Sequence, residues 1–396
     1  MKKLAGNLLL VIGAVMVAAL LAEGLLRLIG YSSPVLYRAD PCCGASLRPG
    51  AEGLWSSEGR DYVVINSRGL RDREHSLRKP AGSLRIAVLG DSYTEALQLP
   101  MEQAWWSVLG RELERCNATA GRRVEVINFG VSGYGTAQEL LTLRHKVWAY
   151  DPDMVILGFL TGNDIRNNLR ELERDPMRPY FLLDEGQLQL DDRFLSDPGY
   201  QFRRSARYRL LAGLISHSRL LQLLNSVRQQ MKARALQQQM AGAAAPEDGA
   251  LLEVGLDNLV YFPPRSEAWE KAWTVTEALI QAMAREVQAQ ARQFLLVSLS
   301  NGAQVIPFDA QREAFSEKIG VDDLFYPDQR LAHMAEEKGI PYLMLAPRLL
   351  DWAKANDTCV HGFENAGLCG GHWNRHGHQV AGELIAGKVC DMLPAQ

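Results

Sequence analysis

The sequence lacks an excess of charge of either sign. Its 396 residues include 43 Lys and Arg against 46 Asp and Glu, which leaves a formal net charge of -3. Binding to nucleic acid depends on clustered positive charge that neutralises phosphates, so we expect no nucleic-acid partner. The hydrophobic share of 47% is that of an ordinary globular protein and argues against disorder.

Cysteine is scarce, and no C-x-x-C motif is present. This excludes the usual zinc knuckle and thioredoxin-like redox sites. We expect Cys359 and Cys369 to form a disulfide, because they flank the loop that leads into His372 and an oxidising compartment is expected. The six cysteines are Cys42, Cys43, Cys116, Cys359, Cys369 and Cys390.

The glycine and histidine patterns typical of cofactor sites are also incomplete. Gly133 and Gly135 follow a predicted strand, but no third glycine stands at the offset of a dinucleotide-binding loop. His372, His376 and His378 are close in sequence, yet their spacing does not let all three face one ion on a helix. We therefore predict neither a cofactor nor a metal.

One long run without charge stands at the N-terminus. Residues 4–22 are uncharged and follow Lys2 and Lys3, and about 20 residues of helix span a bilayer core. The run fits either a removed signal peptide or a retained anchor. The poor cleavage site favours the anchor, so we predict a transmembrane signal anchor over residues 1–30. The positive-inside rule then places the rest in the periplasm of a bacterial inner membrane.

From residue 84 onward, short apolar runs alternate with amphipathic helical segments. This pattern predicts an α/β fold: a doubly wound three-layer domain over 84–395 with a five-stranded parallel sheet and a helical insertion. Residues 31–83 are predicted to be a connector with one strand-like stretch. The predicted strands are 85–89, 124–128, 154–159, 294–298 and 342–345.

More than a hundred residues separate the third and fourth predicted strands, which is too long for a simple loop. Leucines at helical spacing predict a helix over 204–239, and residues 269–293 predict another. Residues 241–249 are predicted to interrupt them flexibly. We interpret about 165–265 as an inserted helical lobe or lid near the active site.

Four polar clusters follow predicted strands or begin helices, so we expect them to converge on one pocket at the carboxyl edge of the sheet. Ser92 lies in a Gly-Asp-Ser turn after the first strand. Gly133 follows the second strand, and Asn163 follows the third. His372 opens the last helix in Gly371-His372-Trp373-Asn374.

These blocks resemble those of the SGNH (GDSL-type) hydrolase family, named for Ser, Gly, Asn and His. The resemblance implies that Ser92 is the nucleophile, His372 the base, Gly133 a backbone oxyanion donor and Asn163 a side-chain oxyanion donor. The residue types suit ester chemistry, because an imidazole can take the serine proton and N–H donors can hold the carbonyl oxygen as it becomes anionic.

The family's aspartate, three residues before the histidine, is replaced here by Cys369. We expect another group to orient His372. Glu364, Asp357 and Asp351 are the candidates, and a backbone carbonyl with a Ser-His dyad is the alternative.

The sequence thus predicts a serine-dependent esterase whose substrate is a small-molecule or glycan acyl ester, with O-acetyl esters of an extracytoplasmic carbohydrate favoured. The histidine-tryptophan-asparagine block resembles that of SGNH proteins in exopolysaccharide acetylation. A periplasmic O-acetyltransferase using the same serine and histidine is one alternative. A catalytically inactive glycan-binding or assembly protein is the other, and lipid or thioester hydrolysis is a weaker choice.

Overall fold

A computed structural model describes residues 2–228, 231 and 256–393. A five-stranded parallel sheet lies at its centre, in the order β11-β10-β7-β5-β6. These strands match the five predicted ones to within one or two residues. The strands are β1 Tyr37–Asp40, β2 Gly44–Leu47, β3 Glu52–Trp55, β4 Asp61–Val64, β5 Ser83–Gly90, β6 Arg123–Asn128, β7 Met154–Leu160, β8 Tyr180–Asp184, β9 Gln187–Asp191, β10 Gln293–Leu299, β11 Tyr342–Met344, β12 His361–Phe363 and β13 Gly367–Trp373.

Helices cover both faces of the sheet. The helices are α1 Lys2–Leu28, α2 Ser92–Glu95, α3 Trp105–Leu113, α4 Thr136–His145, α5 Asp164–Asn167, α6 Arg170–Glu173, α7 Pro198–Arg204, α8 Ala206–His217, α9 residues 219–228, α10 Glu267–Ala289, α11 Asp309–Ile319, α12 Tyr326–Glu337, α13 Ala346–Ala355 and α14 Arg375–Met392. One apolar cluster joins the sheet to α4, α10 and α12, and a second joins it to α3, α13 and α14. The fold is therefore the predicted three-layer α/β arrangement.

β5 and β7 are continuous apolar runs because both of their faces are covered, and every residue of each strand is buried. Arg85 is the one charged residue in these two strands. Its guanidinium is buried but donates to Glu125, 2.7 Å away, and to the Tyr150 carbonyl oxygen, 2.6 Å away. These bonds satisfy a charge that burial would otherwise penalise heavily.

The segment predicted as a connector contains more structure than its composition indicated. It forms two antiparallel hairpins, β1–β2 and β3–β4. Leu36, Leu47, Val63 and Ile65 form a small core of their own together with Leu97, which follows α2. This packing places the turn between β3 and β4 against the central domain.

The insertion after β7 is only partly helical. It contains the hairpin β8–β9 before α7, α8 and α9. The predicted helix over 204–239 is observed as α8 and α9, and its remainder lies mostly outside the described residues, as does the predicted flexible stretch 241–249. The second predicted long helix is α10, whose Ser266 side chain accepts from the backbone N–H of Trp269.

Two disulfides are present among the described residues. Cys359 and Cys369 are bonded, which confirms the predicted pair. Cys116 and Cys390 are also bonded, across 274 residues, and no sequence pattern indicated that pair. This second bond links the end of α14 to the segment after α3.

We expect the Cys116–Cys390 bond to contribute about 2–4 kcal/mol to the free energy of unfolding, because it restricts a long loop in the unfolded chain. The double variant Cys116→Ala/Cys390→Ala should therefore unfold at lower urea concentration, as measured by tryptophan fluorescence. Cys42→Ala, which removes a free thiol, is the control. An unchanged midpoint in the double variant would show that the bond contributes nothing.

Candidate active site

Ser92 stands where β5 ends and α2 begins, at the carboxyl edge of the sheet. Asp91 caps the helix, with its Oδ1 accepting from the backbone N–H of Tyr93 at 2.9 Å. The turn lifts the Ser92 side chain out of the buried strand into a partly exposed position.

His372 lies beside Ser92, although 280 residues separate them in sequence. The distance from His372 Nε2 to Ser92 Oγ is 2.8 Å, which is a hydrogen bond. The structure therefore joins the predicted nucleophile and the predicted base directly.

Glu58 is the carboxylate that contacts His372. Its Oε2 accepts a hydrogen bond from His372 Nδ1, and its Oε1 accepts from the His372 backbone N–H at 2.8 Å. Gly371 permits this approach, because a Cβ there would overlap Glu58 Oε1 and its φ is +75°. Glu58 thus holds both the ring and the backbone of His372.

This arrangement corrects the prediction of the orienting acid. Glu364, Asp357 and Asp351 are all exposed on the surface of the C-terminal segment. Glu58 instead comes from the turn between β3 and β4. Its position depends on a contact across 314 residues, which no local pattern near His372 reveals.

The environment of Glu58 favours its charged form. Burial raises its pKa, but the hydrogen bonds from His372 and the attraction of that ring outweigh burial, so the pKa lies below its ordinary value. A carboxylate that stays ionised stabilises the imidazolium that forms when His372 takes a proton.

A buried chain of hydrogen bonds supports the residue before His372. The Gly371 carbonyl oxygen accepts from Tyr93 Oη at 2.9 Å and from His361 Nδ1 at 2.7 Å. Ser300 Oγ lies 2.9 Å from His361 Nε2 and accepts from Trp373 Nε1. Burial lowers the pKa of His361 to about 4, so it is neutral at pH 7 and serves to position the segment.

The predicted oxyanion donors lie on the loops after β6 and β7. Asn163 Nδ2 donates one hydrogen to Asp91 Oδ2 at 3.0 Å, which leaves its second hydrogen for another acceptor. Gly133 has φ of +77° and is exposed in the loop before α4. The Val131 N–H in the same loop donates to the Gly90 carbonyl oxygen at 3.1 Å, next to the Gly-Asp-Ser turn.

Glu95 ties this loop to the N-terminal hairpin. Its Oε2 accepts from the Ser132 hydroxyl and from Tyr37 Oη, the latter at 2.8 Å. Burial raises the pKa of Glu95 to about 7, and hydrogen bonds together with the nearby Arg71 charge partly offset that rise. Ser92 is therefore flanked by two carboxyl groups, and each bonds a loop with a predicted oxyanion donor.

The three histidines near the C-terminus do not converge. His378 Nδ1 accepts from the Trp105 backbone N–H at 3.2 Å, and His376 stacks on Trp352. Asp40, Cys42 and Cys43 are the one group of metal-type ligands gathered within 4.8 Å in the part of the chain described. They occupy the β1–β2 turn, and Lys146 lies 3.2 Å from Asp40.

Comparisons with known proteins give limited information. No family model matches the chain. An arylesterase from Vibrio mimicus is 32% identical over 84 residues, which is 21% of this chain, so the match spans only 40% of that relative.

Solved structures of similar topology include an acetylxylan esterase from Geobacillus stearothermophilus. Its identity is 11% and its TM-score 0.38, with 78% of this chain and 95% of that one covered. A GDSL-like lipase from Bacteroides thetaiotaomicron has 14% identity and a TM-score of 0.33, with 78% and 88% covered. Because these values are low, we assign function from the geometry of the site.

Glu58→Gln should slow the labelling of Ser92 by a fluorophosphonate about 10²–10⁴-fold, because an orienting carboxylate contributes up to about 10⁴ in a serine protease. Glu364→Gln, on the exposed turn of the neighbouring hairpin, is the matched control and should label at the wild-type rate. Labelling that falls equally in both variants, or in neither, would contradict the assignment of Glu58.

Glu95 should also make stability depend on pH. Its pKa is raised from 4.5 to about 7, because folding favours the protonated carboxyl. The contribution of Glu95 to the free energy of unfolding is therefore fully present below pH 4.5 and is lost as pH rises through 7. The shift corresponds to about 3 kcal/mol. Across this range, Glu95→Gln should lose less unfolding free energy than wild type in urea titrations. The exposed control Glu114→Gln should follow wild type, and a Glu95→Gln curve parallel to wild type would refute the prediction.

Proposed function

We propose that this chain is a serine-dependent ester hydrolase of the SGNH type. The observation that supports this most strongly is the hydrogen-bonded series from Glu58 through His372 to Ser92 at the carboxyl edge of the sheet. A nucleophile, a base and an orienting acid in this geometry are what acyl transfer through an acyl-enzyme requires.

In the proposed mechanism, His372 Nε2 takes the proton of Ser92 as Oγ attacks the ester carbonyl carbon. Glu58 accepts the Nδ1 proton in a hydrogen bond, which leaves Nε2 unprotonated and facing the serine. The alkoxide then departs with the proton from His372, and Ser92 keeps the acyl group. A water molecule then attacks the acyl carbon as His372 takes its proton, and His372 returns that proton to Ser92 Oγ when the bond between Oγ and the acyl carbon breaks and the acid leaves.

The carbonyl oxygen becomes anionic in both steps. We propose the backbone N–H groups of Ser92 and Gly133 and the Asn163 side-chain amide as its donors. Asn163 is suited to this, since its bond to Asp91 fixes the amide plane while one hydrogen remains available. Each such donor typically contributes about 3 kcal/mol in the transition state.

We propose O-acetyl esters of an extracytoplasmic carbohydrate as the substrate class. The resemblance of the His372-Trp373-Asn374 block to SGNH proteins of exopolysaccharide acetylation supports it. We propose hydrolysis as the reaction, with transfer of the acyl group to a sugar hydroxyl through the same serine and histidine as the alternative.

We further propose that α1 anchors the protein in a bacterial inner membrane with the catalytic domain in the periplasm. Among the described residues, Leu9–Leu28 is the one helical stretch long and apolar enough to cross a bilayer, with mean hydropathy 2.5 and no buried residues. It starts and ends several residues later than the predicted run 4–22. Two disulfides agree with an oxidising compartment.

Ser92→Ala and His372→Ala should each abolish nearly all turnover of p-nitrophenyl acetate, and the double variant should be little worse, because the two residues act as a unit. Asn163→Ala should lower kcat about 10²–10³-fold with a smaller change in KM. Intact-mass analysis of wild type after a short incubation should show one added acetyl group, which Ser92→Ala should lack.

Glu114→Gln, which changes an exposed residue after α3, controls for general damage and should keep the wild-type turnover. Full activity in Ser92→Ala would refute the mechanism and favour the glycan-binding alternative. Acetyl transfer to an added oligosaccharide that outpaces release of acetate would instead favour the transferase.

A further inference from the structure

The helices α8 and α9 are bonded to the last turns of α1. The Glu23 carboxylate accepts from the backbone N–H groups of Arg219 and Leu220, at 3.0 and 2.9 Å, and from Ser218 Oγ at 2.9 Å. It therefore caps the N-terminus of α9, where backbone N–H groups lack partners within the helix. Arg27 Nε also donates to Glu23 Oε1 at 2.8 Å, so α9 and a cation one turn later in α1 together satisfy this acidic residue of an apolar helix.

Further bonds extend the junction toward the catalytic domain. Arg27 Nη2 donates to the carbonyl oxygen of His217, the last residue of α8, at 2.8 Å. Tyr31 Oη lies 2.8 Å from Ser226 Oγ, and the Ser33 N–H donates to Gln222 Oε1 at 2.9 Å. The described part of the lobe is thus bonded to the chain from Glu23 to Ser33.

The two lobe helices leave large apolar side chains uncovered. Leu210 is 69% exposed and Leu214 55%. A contiguous exposed apolar surface on a helix pair is unfavourable in water and marks an interaction site. The exposed apolar residues of α8 and α9 are Leu210, Leu211, Leu214, Leu221, Leu224 and Val227.

The place where α9 meets α1 indicates that a bilayer covers this apolar surface. The apolar span continues to Leu28, and both Leu25 and Leu28 are themselves exposed. Glu23 precedes Leu28 by five residues, which is about 7.5 Å along the helix axis. When α1 spans the bilayer, the start of α9 therefore lies at the boundary between acyl chains and headgroups.

The charge of the inserted segment also suits the surface of a bilayer. Residues 198–246 contain no Asp or Glu. The described part of this segment contains several arginines, and those at 203, 204, 207, 209 and 228 are exposed. An apolar helix face with basic flanks is the pattern of an interfacial helix, and anionic phospholipids attract it.

We propose that α8 and α9 lie in the interface of a bilayer containing anionic phospholipid, with their exposed leucines among the acyl chains. The proposal rests on α1 being the membrane anchor proposed above. A single spanning helix leaves a domain free to tilt, whereas a spanning helix bonded to an interfacial helix pair holds it at one orientation. Ser92 then faces a fixed direction relative to the membrane.

The test uses the full chain in nanodiscs of phosphatidylethanolamine and phosphatidylglycerol, with a benzophenone amino acid incorporated at one site at a time. Position 214 probes the lobe and position 15 probes the anchor. Position 368 is the control, because Leu368 is 64% exposed on the catalytic domain. After irradiation, mass spectrometry should find phospholipid adducts at 15 and 214 and none at 368.

The outcomes separate the two proposals. Adducts at 15 without adducts at 214 would overturn the interfacial placement and leave the anchor intact. Absence of adducts at both positions would overturn both proposals. Protein–protein crosslinks at 214 would overturn lipid as the occupant and indicate a second copy of the chain.

Charge is tested in the same discs. Arg207→Gln/Arg209→Gln/Arg228→Gln should lower the adduct yield at 214 several-fold, and discs of phosphatidylcholine alone should lower it in wild type as well. The matched control Arg123→Gln/Arg285→Gln/Arg348→Gln removes three exposed arginines from the catalytic domain and should leave the yield unchanged. Far-UV circular dichroism verifies folding of each variant. Equal yields in all variants and lipids would overturn the anionic-lipid preference.

Discussion

The pairing of Glu58 with His372 is the interaction on which the candidate site depends. One carboxylate accepts hydrogen bonds from both the ring and the backbone N–H of the histidine. This requires a glycine at 371 and a β3–β4 turn held against the C-terminal segment. Asn365 holds that turn, because its side chain bonds both the N–H and the carbonyl oxygen of Gly59. The N-terminal hairpins are therefore part of the site and not a passive connector.

A second constraint acts from within the Gly-Asp-Ser turn. Asp91 bonds the Asn163 amide, and Glu95 bonds Ser132 beside Gly133. Both carboxyl groups are buried, and burial raises both pKa values. Through these bonds, Asp91 and Glu95, which flank the nucleophile in sequence, also position the two loops with the proposed oxyanion donors. Preorganised donors of this kind do not have to reorient as negative charge develops.

Part of the insertion after β7 is attached to the N-terminal helix. Its helices α8 and α9 bond to the end of α1, so the same chain segment that enlarges the domain also connects it to the proposed anchor. The Glu23 carboxylate is the centre of this junction. It accepts hydrogen bonds from α9 and from Arg27, so an acidic residue near the end of the apolar span has its polar atoms paired, as a bilayer requires.

The sequence by itself determined the central sheet, because strands buried on both faces must be apolar runs and these are visible locally. It also indicated polar clusters near one edge of that sheet, and the resemblance to the SGNH family implied Ser92, Gly133, Asn163 and His372 within them. The Cys359–Cys369 bond was predictable because its partners flank a short loop. In each case the information lies within a few residues of the feature.

Only the tertiary structure decided which carboxylate orients His372, which loop Glu95 restrains and where the lobe attaches. Glu58 lies in an unremarkable Trp-Ser-Ser-Glu-Gly turn, and its role arises from a contact across 314 residues. The Cys116–Cys390 bond is equally distant, with 274 residues between its partners. Such contacts depend on how whole elements pack together, and neither periodicity nor spacing in one sequence encodes the packing partner.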